Sequence, residues 1–192
     1  MSRHINHCHL SKEALEWING ELLGDGHLNC RSACSARFVY ASKHFEYINY
    51  VSNTLAGFGI IQSGKIQKRI ATYKYASLSY SDLFDIWLAW YVYGSKQIPK
   101  DLELTPVVCK QWYIGDGNLS AFGHRIPSVR LATCGFSITD VLWLVTKLNH
   151  LSFKSTYQQN NNTIHISAYS TKEFLKYIGD CPTECYKYKW KL

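Results

Sequence analysis

At 192 residues and 46% hydrophobic side chains, the chain has material for one large domain or two small ones around a substantial core. Its 21 Lys and Arg against 14 Asp and Glu give a formal net charge of +7, which favours a polyanionic partner. Nucleic acid comes before membrane, because there is no basic amphipathic stretch and no apolar run of roughly 18 residues.

The opening "MSRHINHCHLSKEA" lacks the apolar core of a secretory signal, and the 7 cysteines are an odd number, so the expectation is reduced thiols in an intracellular protein, cytoplasmic or organellar. His4, His7, Cys8 and His9 could hold a metal only with a further ligand. The spacings Cys30-x3-Cys34 and Cys181-x3-Cys185 are not those of a zinc knuckle.

From Ser11, a candidate N-cap, "SKEALEWINGELLG" sets Ala14, Leu15, Ile18 and Leu22 at helical spacing. This helix runs into Gly24-Asp25-Gly26. A carboxylate in a last turn faces the negative end of the helix dipole, where Lys or Arg is the favoured type. An acid that breaks a local rule is a candidate for function, although a single Gly-Asp-Gly would mark only a turn. "ARFVYAS" then alternates as a strand, and "KHFEYINYVSNTLAGFG" (Lys43 to Gly59) predicts an amphipathic helix closing on glycines. "IIQSGKIQKRIATYKYASLSY" predicts a hairpin, and "SDLFDIWLAWYVYG" (Ser81 to Gly94) a helix capped by Ser81.

"SKQIPKDLEL" (Ser95 to Leu104) joins two halves, with Pro99 ending the helical pattern. The second half opens on "CKQWYIGDGNLS", where Gly115-Asp116-Gly117 repeats the first motif. "VRLATCGF" follows as strand, "SITDVLWLVTKLNHLSF" as helix, "KSTYQQNNNTIHISAYS" as a hairpin turning at "QQNNN", and "STKEFLKYIGD" as helix. The expected fold is α+β: two pseudo-symmetric helix-strand-strand-helix-strand-strand-helix halves, residues 1–94 and 105–192, with residues 95–104 between them. Such symmetry lets matching positions converge on one axis.

If the two motif helices pack side by side, Asp25 and Asp116 end up close together. Gly20 and Gly24 would let the backbones approach, although Gln111 stands at the position matching Gly20. Two carboxylates about 4 Å apart repel by roughly 4 kcal/mol at an effective dielectric of 20, and a divalent cation offsets that directly. Hard oxygen ligands suit Mg²⁺. Near a phosphodiester, such ions activate a water and stabilise the leaving oxygen.

The segments "INGELLGDGHL" and "TPVVCKQWYIGDGNL", supported by "SKHFEYINYVSNTL", "WYVYGSKQIPKDLELTP" and "CYKYKWKL", resemble the LAGLIDADG homing endonucleases in which one chain carries both motifs. The resemblance extends from about residue 14 onwards. It implies that Asp25 and Asp116 hold the catalytic metals, Mg²⁺ or Mn²⁺, with help from the carbonyls of Gly24 and Gly115. It also implies a lysine near each acid that positions or activates the water: Lys96 in the first half, and Lys187 or Lys189 in the second, between which the sequence does not choose. The implied reaction is cleavage of both strands of double-stranded DNA by a monomer, at a long non-palindromic site, with a saddle of strands in the major groove.

Alternation gives partial support to such a surface. Lys65, Gln67 and Arg69 share one strand face, and Lys154, Thr156 and Gln158 recur at the same spacing. Side chains of this kind pair with guanine or adenine edges. Arg130 is expected to match Arg37 near the start of a strand. Trp87, Trp90, Tyr91 and Trp143, on helices, read as core. An intron RNA maturase or a transcription regulator on the same fold is the alternative, against which both retained acids argue.

Overall fold

The same unit is built twice along the chain. In the computed structural model, which describes residues 6–120 and 127–192, the first unit is α1 (Lys12–Leu23), β1 (His27–Ser32), β2 (Ser35–Ser42), α2 (Phe45–Gly57), β3 (Gln67–Lys68), β4 (Tyr73–Ala76) and α3 (Ser81–Trp90). The second is α4 (Pro106–Asp116), β7 (Gly117–Ser120), β8 (Ser128–Ala132), α5 (Ile138–His150), β9 (Ser155–Gln158), β10 (Thr163–Ile166) and α6 (Ala168–Ile178). Between them lies a small hairpin of β5 (Tyr91–Val92) and β6 (Ser95–Lys96), and a 3-10 helix, Glu184–Trp190, follows α6.

Local chemistry sets the helix starts. The hydroxyls of Ser11, Thr105 and Ser137 accept from the amides of Ala14, Val108 and Asp140, and Pro106 opens α4, where its missing N–H costs nothing. Each unit forms one antiparallel four-stranded sheet, in the orders β1-β2-β4-β3 and β7-β8-β10-β9. Alternation turns Ala36, Phe38 and Tyr40 of β2, and Val129 and Leu131 of β8, towards the helices. Both units contribute to one continuous apolar core, centred where α1 and α4 pack against each other.

The helix expected over Ser81–Gly94 ends at Trp90, because Tyr91 and Val92 belong to types that favour extended backbone. Tyr93 and Gly94, both at positive φ, turn the chain back into β6. Ser81 is not the cap; its hydroxyl meets the Asn6 carbonyl and His7 Nδ1 instead, and Tyr80 takes the cap position. The joining segment is packed, with Ile98, Leu102 and Leu104 buried. The 3-10 helix was not anticipated from sequence.

All seven cysteines are free. His4 lies outside the described residues; His7 and Cys8 contact Asp82, and no group of three or more His, Cys, Asp or Glu among the described residues is arranged to hold a metal. Trp90 is buried and donates to Asn19 Oδ1, Trp87 stacks between Phe84 and Tyr91, and Trp143 is half-buried on α5. No helix among the described residues is long and apolar enough to cross a membrane.

Candidate active site at the helix seam

The two motif helices touch at their last turns. A Cβ built on Gly115 would stand 3.0 Å from the Asp25 amide nitrogen and 3.2 Å from the Gly24 Cα, and one on Gly24 would stand 3.4 Å from the Gly115 Cα. Earlier along the seam, a Cβ on Gly20 would fall 2.6 Å from the Val108 carbonyl. A side chain has no room at Gly20 and little at Gly115, and this approach carries Asp25 and Asp116 to the same end of the helix pair.

Asp25 is exposed and accepts from the buried Tyr40 hydroxyl at 3.4 Å. Asp116 is half-buried, and burial, then the neighbouring Asp25 charge, push its pKa up to about 6 against the opposing pull of Lys96 and Lys189. The mutual influence places the two carboxylates and both lysines in one electrostatic neighbourhood.

Those lysines arrive from outside the repeated units. Lys96 lies on β6 and donates to the Gly26 carbonyl at 3.2 Å. Lys189 lies on the 3-10 helix, only 6% exposed, and donates to the carbonyls of Ile114 at 2.6 Å and Gly115 at 3.3 Å. Burial lowers both pKa values to about 8, although Asp25 and Asp116 act in the opposite direction. Lys187 is instead exposed, paired with Glu184, on the other side of the same short helix.

Beneath the seam sits a polar network that sequence reading missed. Glu21 is fully buried, and burial pushes its pKa up to about 8, so it is protonated at neutral pH. Tyr47 donates to Glu21 Oε1 at 2.6 Å. With its amide turned to suit its partners, Gln111 donates to the same oxygen at 3.0 Å and accepts from Trp17 Nε1 at 3.2 Å. Gln111 thus replaces a packing glycine with a hydrogen-bonded bridge between the helices. The available signal was position: Glu21 follows Ile18 by three residues, on the apolar stripe of α1.

The expected nucleic-acid contacts fall on the sheet faces turned away from the helices. Arg37, Lys65, Gln67, Arg69 and Lys74 line one cavity of about 320 Å³ on the first sheet. On the second sheet Lys154, Thr156 and Gln158 are exposed together, with Gln158 donating to the Thr156 hydroxyl. Arg130 is opposite Asn118 and His165. It does not match Arg37. Asn118 follows Asp116 as His27 follows Asp25, and His27 pairs with Val39, so the ladder sets Arg130 where the first half has Val39. By the same register Ser128 stands where the first half has Arg37.

The sequence pattern of the LAGLIDADG DNA endonuclease family matches residues 15–174. Cytochrome b mRNA maturase bI2 of Debaryomyces hansenii is 28% identical over 165 residues, 77% of this chain and 60% of that protein. The chain spans about 40% to 60% of the length of the curated relatives it matches. Among solved structures, the homing endonuclease I-WcaI bound to its DNA recognition sequence has a TM-score of 0.83 at 20% identity, over 95% of this chain and 87% of that one. I-DmoI in complex with DNA and Mn has a TM-score of 0.57 at 14% identity, over 88% and 99%. These two likenesses show a shared fold.

Proposed function

The chain belongs to the LAGLIDADG DNA endonuclease family, and from that premise we propose that it is a site-specific, divalent-metal-dependent homing endonuclease that cuts both strands of a long, non-palindromic DNA site as a monomer. The observation that carries this reading is the meeting of Gly24 with Gly115, which brings two acids, the half-buried Lys96 and the buried Lys189 to one seam.

The donor set fits a hard cation. Asp25 and Asp116 supply carboxylates, and the carbonyls of Gly24 and Gly115 adjoin them. Burial and then the Asp25 charge raise the pKa of Asp116, and a cation beside both carboxylates would offset each. Mg²⁺ commonly takes one or two carboxylates and completes its shell with waters and phosphate oxygens, so two acids suffice. When bound, Mg²⁺ or Mn²⁺ supplies a nucleophilic water at neutral pH and charge opposite the leaving oxygen.

The chain's own groups do the rest. Asp25 and Asp116 orient the site towards a phosphodiester lying across the seam. Lys96 and Lys189, with pKa values near 8, hold or pass a proton at Nζ close to working pH, one for each strand. Their anchoring carbonyls fix where that proton is offered. The basic sheet faces hold the duplex through phosphates and base edges.

Asp25→Asn and Asp116→Asn are expected to abolish double-strand cleavage of DNA spanning the intact insertion site, while binding in a gel-shift assay stays within a few fold. Full cutting by either variant would overturn the assignment.

The similarity to cytochrome b mRNA maturases favours a second reading, an intron RNA splicing factor on the same fold. It predicts that both substitutions leave splicing of the host intron intact and that the unsubstituted protein leaves the insertion site uncut.

A further inference from the structure

The two sheets do not carry equivalent chemistry. On the first, Arg37, Lys65, Arg69 and Lys74 surround one cavity with Gln67, Ser63 and Ala76, and no carboxylate lines it. None of the four cations takes part in an ion pair among the described residues. Four like charges gathered around about 320 Å³ repel one another in the free protein, and an acceptor-rich ligand relieves that. On the second sheet one cross-strand row, Asn118, Arg130, His165 and Thr156, alternates amide, cation, imidazole and hydroxyl, and by register it matches the row of His27, Val39 and Ala76 on the first sheet. Burial and then Arg130 lower the pKa of His165, which disfavours a charged ring.

Within the first cavity Arg37 differs from its neighbours. It lies on β2, an inner strand of the order β1-β2-β4-β3, whereas Lys65 and Arg69 are exposed residues flanking the edge strand β3. Arg37 is half-buried, and its Nε is buried without a hydrogen-bond partner among the described residues. A guanidinium on an inner strand, lining a cavity with no acid among the described residues, offers a planar fork to a ligand there. Guanine offers that fork two acceptors, O6 and N7, on one major-groove edge. A lysine or an edge arginine is better placed for phosphate, which carries no sequence information.

Resting on the nuclease reading above, we infer that Arg37 is a specificity-determining residue that reads a guanine in the half-site under the first sheet, while Lys65 and Arg69 contact phosphate. The half-site under the second sheet has no arginine at the matching position, where Ser128 stands.

The test is binding selection from a randomised duplex library, using the full chain without added divalent cation, followed by salt titration on the selected duplex. The wild type is expected to fix a guanine at one position of one half-site. Arg37→Gln, checked for unchanged thermal unfolding, should lose that preference by about 5- to 150-fold, the range for one bidentate contact, with other positions kept. Arg37→Lys, which keeps the charge and loses the fork, should lose it as well. Arg69→Gln should weaken all sequences alike and lower the salt slope by about 1. Uniform weakening by Arg37→Gln, or selection of no guanine, overturns the inference while leaving the nuclease reading intact. Failure of the wild type to select or cut any DNA overturns both.

Discussion

Lys187 and Lys189 stand two residues apart in one short helix, yet one is solvated and the other is nearly sealed against the carbonyls of α4. Replacing Lys189 with Met is expected to slow cleavage by about 10²- to 10⁴-fold, the usual contribution of a positioned proton-transfer group. Lys187→Met should cut at the wild-type rate, so single-turnover kinetics on the two variants separate the positions. Glu21 provides a test by stability. Folded, it keeps its proton up to about pH 8; unfolded, it loses it near the ordinary 4.5. Its contribution is therefore complete below 4.5 and is lost as pH rises through 8. Glu21→Gln should remove that decline, so that denaturant unfolding gives a variant more stable than wild type at pH 8 by about 1–3 kcal/mol, and little changed at pH 4.5. At this scale the two aspartates were readable, since an acid twice contradicts the helix dipole. Glu21 was not, because a helical glutamate is ordinarily a solvated side chain, and what marks it is tertiary burial.

Among elements, the close crossing of α1 and α4 depends on missing side chains. Gly115→Ala would press a methyl against the backbone of Gly24 and Asp25, neither of which can swing aside. It is expected to cost about 1–3 kcal/mol of stability, as overpacking does, and to depress cleavage more than DNA affinity, read by thermal unfolding beside paired cutting and binding assays. Helix and strand order were legible from periodicity and caps, because Ser11, Ser137 and the alternation in β2 and β8 are local signals. Register was not. Matching Arg130 with Arg37 counted from strand starts, whereas pairing is set by the ladder, and the β1–β2 ladder shifts between Cys30 and Ser32. The early end of α3 was missed for a related reason: an apolar aromatic run fits helix and buried strand alike.

Across the whole molecule, the 3-10 helix ties the second half to the first. Its opening amides, at Glu184 and Cys185, donate to the Glu46 carboxylate on α2, Tyr186 packs on His44 and Tyr47, and Tyr113 donates to the Lys189 carbonyl at 2.5 Å. Glu46→Ala leaves those amides without their acceptor and should loosen the segment, slowing the cut at the Lys189 side. Nicked circles accumulating ahead of linear product in a plasmid assay would show it; equal loss on both strands would contradict it. None of this was visible beforehand, since "CYKYKW" has no helical period and its anchors lie across the fold.

The repeat that duplicates the acids does not duplicate the lysines. Asp116 ends α4 and Asp25 follows α1 by two residues, but Lys96 hangs on a hairpin and Lys189 on a 3-10 turn, two unlike brackets bolted to a symmetrical frame. Copying the frame could reproduce only half of the machinery, so each bracket is a place where one side of the molecule can be retuned without disturbing its twin.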